Sequence, residues 1–311
     1  MKKNIIITSL ILLASVQLFA CDICGCGVGS YYLGILPDFN KRFIGLRYQY
    51  NSLETHLGPE GERTALSADE TYRIAELWGA WNIGKRFRVM AILPYNFNHR
   101  KVPGAGTSGS KEGIGDVAIM GYYKIFEGGS TTKNSKLFNH SLWAGFGVKT
   151  PTGKYDNTER LVVGSDAPNN FQLGTGSTDF TLNISYDARL MDLGLDLNML
   201  YKINTENKYE YRYGNKFTGN ALFYYKFLVD MKLRIAPNAG LMYERAAHDV
   251  EYSTFNVGQS GGYITSAVTG LEVSYERISV GANYQMPLSQ NLADGRVDAG
   301  NRLMTHISFA F

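Results

Sequence analysis

Three thiols stand together just after the first twenty residues, in the run Cys21-Asp22-Ile23-Cys24-Gly25-Cys26-Gly27, and the rest of the chain has no cysteine. Thiolates are soft ligands, so Cys21, Cys24 and Cys26 on a glycine-flexed loop offer the donor set for Cu(I) or another thiophilic metal. Structural zinc would call for a fourth ligand and a longer separation between two pairs, which is absent here. Two other chemistries stay open at the same positions. Leu18-Phe19-Ala20-Cys21 is similar to a lipidation site, although Phe19 is bulkier than usual there. In an oxidising compartment two of the thiols would instead pair, and the odd count prevents complete internal pairing.

A second set of chemical groups is charged and recurs at alternate positions. It includes Arg47, Glu76, Arg88, Asp116, Lys149, Asp179 and Glu272, with Lys124, Asp187, Asp192, Asp196, Lys202, Lys226, Lys232, Arg234, Glu244, Arg277, Arg302 and His306. Both signs are present, and charge this dense in a confined interior must pair or stay wetted, because an isolated buried ion is very costly. Catalysis is not indicated. His306 and Ser308 share a strand face without an orienting third group, and a nucleophile needs all three within reach. Gly174-Thr175-Gly176-Ser177 lacks the Lys-Ser/Thr of a phosphate loop. His56, His99 and His248 fall on separate outer loops, either as ordinary solvated histidines or, if the loops converge, as a metal collector.

The elements that must position these residues are strands. Leu303, Thr305, Ile307, Phe309 and Phe311 alternate with Arg302, Met304, His306, Ser308 and Ala310. Phe87, Val89, Ala91, Leu93, Tyr95 and Phe97 oppose Arg86, Arg88 and Asn96 in the same way. Period two over about ten residues, repeated between polar loops, is the signature of a transmembrane β-barrel. The expected strands lie near residues 40–52, 71–84, 86–98, 114–126, 138–150, 175–189, 191–204, 216–227, 231–244, 262–275, 277–287 and 300–311. This makes an all-β fold, an antiparallel barrel of about twelve strands. Apolar faces meet lipid and polar faces the lumen. Tight turns at Gly84-Lys85, Arg189-Leu190, Leu228-Val229-Asp230 and Glu276 alternate with long loops, and the even count puts both termini on the periplasmic side. The connection from Glu127 to Leu137 is longer than the other turns. Tyr48, Tyr50, Trp81, Tyr95, Tyr123, Tyr186, Tyr201, Tyr225, Tyr243, Tyr275 and Tyr284 read as interfacial girdles. A final strand ending on aromatic Phe311 resembles the terminal signal read by the bacterial barrel-assembly machinery.

Residues 1–20 read as a secretory signal, with Lys2 and Lys3 before the apolar stretch from Ile5 to Val16. Residues 21–39 form a Cys-rich plug or tether and residues 40–311 the barrel. At 44% hydrophobic and 19% charged, the chain is too apolar for disorder and lacks coiled-coil or collagen composition. A formal charge of +3, falling to +1 when Lys2 and Lys3 leave with the leader, gives no case for nucleic acid.

Three stretches, Gly113-Ile114-Gly115-Asp116, Gly147-Val148-Lys149-Thr150-Pro151-Thr152-Gly153 and Gly174-Thr175-Gly176-Ser177-Thr178-Asp179, resemble in order and spacing the outer-membrane transporter family associated with the MetA pathway of phenol degradation. The resemblance covers about residues 40–311. It implies a non-enzymatic outer-membrane channel or importer for a small solute, aromatic or hydrophobic by the family's label, with outer-membrane lipid as its surroundings. The Cys-rich opening is similar to that of Bacteroidetes-type barrels. On the residues themselves, Asp116, Lys149 and Asp179 are expected to meet inside the rim, as a latch on the long loop or as a charged constriction. A structural barrel without transport is the competing expectation, with the Cys segment as a metal-binding or lipid-anchored module. Purified mature protein should retain about one equivalent of copper through dialysis only if Cys21, Cys24 and Cys26 are free thiols. A lipid-sized increment in intact mass on Cys21, or no binding by reduced, unlipidated protein, would end the three-thiolate reading.

Overall fold

The computed structural model describes residues 42–131, 137–157, 171–230 and 232–311. The leader, Cys21, Cys24, Cys26 and the segment 21–39 lie outside the described residues. Twelve long strands form the wall: β1 (Phe43–Thr55), β2 (Ala68–Ile83), β3 (Phe87–Val102), β4 (Ala118–Thr131), β5 (Leu137–Lys149), β6 (Asp179–Leu190), β7 (Leu193–Ile203), β8 (Lys216–Tyr225), β9 (Leu233–Ala246), β10 (Gly262–Tyr275), β11 (Ile278–Leu292) and β12 (Arg302–Ala310). Each pairs antiparallel with its sequence neighbour, and β12 pairs back onto β1 with Phe43 opposite Ala310 and Tyr50 opposite Leu303. The sheet is therefore a closed barrel. No helix among the described residues is long and apolar enough to cross a membrane, which is silent about crossing by strands.

The alternation read from sequence sets which way each strand faces, because a one-residue slip would exchange its two faces. On β1, Leu46 is 60% exposed outward while Arg47, Gln49 and Asn51 are buried inside. On β3, Phe87, Val89, Leu93, Tyr95 and Phe97 are exposed and Arg88 is buried. Of the tyrosines expected in the girdles, Tyr123, Tyr225 and Tyr275 at the turn end and Tyr201, Tyr243 and Tyr284 toward the loop end are exposed as well, whereas Tyr50 and Tyr186 are half-buried.

Tight turns occupy one end. Met191 and Glu276 take positive φ, of 56° and 51°, as two-residue hairpins of matching twist require. Lys232, Arg234, Arg277 and Asp192 belong to this exposed end and do not line the lumen, contrary to the expectation from alternation. The turn expected at Leu228-Val229-Asp230 sits slightly later, because Phe227–Val229 still pairs with Leu233–Ile235. The long connection from Glu127 is a hairpin in which β4 and β5 stay paired out to Thr131 and Leu137. At the other end, the expected loop 99–113 is largely strand. β3 runs on to Val102 and pairs with Thr107–Ile114. A small sheet of Tyr211–Arg212, Val250–Glu251 and Phe255–Asn256 also covers part of that end.

The seam between β12 and β1 is finished by Phe311. Its N–H donates to the Arg42 carbonyl at 3.1 Å, and its ring lies 5.5 Å from that of Trp81, which also carries the Arg42 guanidinium at 4.5 Å. The folded protein should migrate faster on unheated than on boiled SDS gels, since a closed wall satisfies every strand hydrogen bond internally. Removing Phe311 should lower the yield of heat-modifiable protein in cells far more than it lowers the stability of barrels already refolded in detergent. Equal effects on both would contradict a role in recognition by the assembly machinery.

Candidate functional site

The inward faces of β1, β2, β9, β10 and β12 carry a belt of paired charge. Arg47 bonds Glu76 through its Nε, and Gln49 donates to the same carboxylate at 2.8 Å. Arg47 and Glu76 are direct register partners, as are Arg47 and His306 on the other side. The belt continues past a strand without a side chain. Gly281 lies between His306 and Glu272, and a Cβ there would stand 2.1 Å from Glu272 Oε2 and 2.3 Å from His306 Nε2. Glycine is what lets His306 and Glu272 meet across β11, at 2.9 Å. Glu244 on β9 receives Lys216 of neighbouring β8 at 2.7 Å and Arg302 of β12, three strands away.

Nearer the turn end the lumen changes character. Phe43, Trp78, Met90, Ile92, Met120, Tyr122, Trp143 and Leu200 form a buried apolar cluster on inward faces. Cations lie on its rings, Arg47 at 5.1 Å from Trp78, Arg88 at 5.5 Å from Phe43 and Lys124 at 4.8 Å from Trp143. Sequence reasoning assigned the inward faces to polar residues and so passed over this cluster. Its signal was available in β2, where Trp78 and Ala80 share the alternation class of Glu76, so both faces are apolar at that end.

At the loop end, Asp116, Lys149 and Asp179 come together. Lys149 Nζ lies 2.5 Å from Asp116 Oδ2 and 2.9 Å from Asp179 Oδ2, and bonds Thr175 Oγ1 and, at 3.3 Å, the Ser177 carbonyl. Lys202 approaches Asp179 at 3.4 Å, so two carboxylates face two ammonium groups. Asp116 Oδ1 accepts the Gly153 N–H and Oδ2 the Thr175 N–H, both at 2.9 Å. The three glycine-bearing stretches singled out in the sequence thus meet in one knot.

Local backbone chemistry brings Asp116 there. Pro94 of β3 accepts a hydrogen bond from the Gly115 N–H at 2.9 Å but has no N–H to return. The Gly115 carbonyl, so released from the ladder, takes the Thr152 hydroxyl at 2.8 Å, and Thr152 Oγ1 accepts the Val117 N–H. Residues 115–117 leave strand geometry, and β3 pairs with β4 only from Ile92 downward. Gly153 and Gly174 then pack back to back. A Cβ on Gly174 would stand 2.8 Å from Gly153 Cα and 2.3 Å from Asp116 Oδ1.

Outside the wall, His56 follows β1 and bonds the Thr55 hydroxyl at 3.1 Å. Burial, then the nearby Arg100 charge, pushes its imidazole down to about 4. A histidine depressed in the fold binds fewer protons than in the unfolded chain, so its contribution to stability is complete above about 6.5 and is lost as pH falls toward 4. His99 bonds the Ser110 hydroxyl, and no group of three metal-ligating side chains occurs among the described residues.

Replacing Lys149 with Met should leave Asp116 and Asp179 short of a partner and cost about 3 to 5 kcal/mol, the range for breaking a buried pair. Denaturant titration of the barrel refolded in lipid vesicles reads this. An unchanged midpoint would show that the knot contributes nothing to holding the loop end.

The family described as "Putative MetA-pathway of phenol degradation" matches residues 56–287. No curated protein matches the chain. Among solved structures, an outer membrane channel from Pseudomonas putida F1 is 14% identical with a TM-score of 0.58, over 87% of this chain and 96% of that one. The β domain of the Bordetella autotransporter Brka is 10% identical with a TM-score of 0.48, over 87% and 100% of the two chains. A Pseudomonas aeruginosa FadL homologue is 13% identical with a TM-score of 0.38, over 88% and 91%. With a closed twelve-stranded wall, an apolar outer face and a match across most of its length, the chain belongs to that phenol-degradation-associated family and is a channel-like barrel of the outer membrane.

Proposed function

We propose that the protein is a passive channel for small solutes, with its turns and both termini on the periplasmic side. The observation that carries this reading is the inward face. Buried ion pairs are no more stabilising than apolar side chains of similar volume, because desolvating two charges offsets their attraction. A barrel needing only to be filled would be as stable with apolar filler, whereas this one keeps a belt of Arg47, Glu76, His306, Glu272, Glu244 and Arg302 across its middle. Such a belt supplies polar partners to a solute that has shed part of its hydration.

Below the belt, aromatic and thioether side chains with cations on their rings favour a solute with an apolar or aromatic body and a polar group. The family's description accords with an aromatic cargo. Asp116, Lys149 and Asp179 serve as the latch of the loop end more than as a selectivity ring, since Lys149 is already spent on two carboxylates, a hydroxyl and a carbonyl. For the cysteines, capture of a thiophilic metal remains the chemistry to test.

Proteoliposomes loaded with purified protein should take up small aromatic acids and alcohols above the empty-vesicle background, and planar bilayers should show discrete conductance. Replacing Arg47 and Glu76 together, by Met and Gln, should change the ion preference of that conductance. A structural barrel without transport predicts neither uptake nor conductance for any solute.

A further inference from the structure

We infer that Phe171, carried on a strap of residues 171–175 folded into the lumen, is the constriction that sets which solutes pass. The inference rests on the channel reading above and names its size-selective residue. The strap belongs to the connection between β5 and β6, yet its contacts are with other walls. Phe171 is 4% exposed and sits in an apolar cluster whose remaining members come from β1, β2, β10, β11 and residues 293–299. In the order of strands around the barrel, β11 and β12 lie opposite β5 and β6. A side chain from one side of the mouth is therefore seated against the other.

The path between is fixed along the inner face of β3. Asn98 Nδ2 donates to the Gln172 carbonyl at 3.5 Å and Asn96 Nδ2 to the Leu173 carbonyl at 3.0 Å. Both asparagines share the inward alternation class of Arg88 and Arg100. The Gln172 amide is tied to the backbone of Asp156 in both directions, accepting its N–H and donating to its carbonyl at 3.0 Å each. Thr175 is anchored by its N–H on Asp116 and by its carbonyl, which accepts Asn207 Nδ2 at 3.0 Å. Every residue from 172 to 175 except Gly174 is thus hydrogen-bonded to a different part of the wall or loop, and Gly174 is wedged against Gly153.

A segment pinned at this many points behaves as a fixed bar, not a flapping lid. Among the described residues the strap's inner end is Phe171, and side-chain volume there sets what it leaves free for solutes. The cut-off should accordingly depend on size at position 171 and little on charge.

The test is single-channel conductance and vesicle swelling with sugars of increasing size, using full-length mature protein with Phe171→Ala and Phe171→Trp. Heat-modifiable mobility on SDS gels confirms that each variant is folded, and Phe171→Leu replaces Phe171→Ala if the latter does not assemble. The smaller side chain should raise conductance by about two-fold or more and admit larger sugars, and Trp should lower both. If the wild type conducts and both folded variants match it in conductance and cut-off, the inference is wrong while the channel reading stands. If the wild type passes nothing, the channel reading fails by itself. In that case flux created by Phe171→Ala supports the strap as the closing element, and none in any variant overturns it.

Discussion

In hydrocarbon a peptide N–H or C=O has no water to bond, so each must find its partner within the chain. That constraint leaves a sheet one solution, which is to close on itself. The pairing of β12 with β1 and of β8 with β9 removes the last open edges, and everything inside follows from having a closed wall of twelve strands. Side chains at alternate positions are forced into a space of fixed width. Charges there must answer one another across neighbouring strands, as Arg47 does Glu76 and, past Gly281, His306 does Glu272.

The same constraint gives one imino acid a large consequence. Pro94 cannot return a ladder hydrogen bond, and the carbonyl it leaves behind is taken up by Thr152 from the loop. A local deficit in the wall thereby becomes the attachment point of the long β5–β6 connection. Asp116, turned out of the ladder at that point, binds backbone N–H groups from two separate parts of the loop as well as Lys149. Glycines at 153 and 174 permit the approach because any side chain there would occupy its neighbour's volume. The knot is thus a consequence of the wall's hydrogen-bond arithmetic as much as of charge attraction.

Lumen chemistry is graded along the barrel axis. The loop end holds the knot and the strap, the middle the charged belt, and the turn end the ring of Trp78, Met90, Met120, Tyr122 and Trp143. Cations resting on aromatic faces join the last two zones, so Arg47 belongs to both the belt and the apolar cluster. A solute moving along this gradient would exchange partners of progressively different kind.

Sequence alone determined the wall. Period-two alternation is imposed by a surface with lipid on one side, and it is local, so twelve strands and their facing were legible residue by residue, as in Phe87 to Phe97 against Arg88. It also marked Asp116, Lys149 and Asp179 as inward and near one rim. Other features depended on long-range geometry. That Asp116 reaches Lys149 depends on Pro94 having no donor, an effect carried across two strands. That Phe171 crosses the mouth depends on which strands lie opposite one another, and ring closure alone sets this. The apolar cluster escaped because alternation reports polarity contrast between faces, and at Trp78 and Ala80 there is none. Periodicity can be read from one strand at a time; partners across a lumen exist only once the sheet has closed.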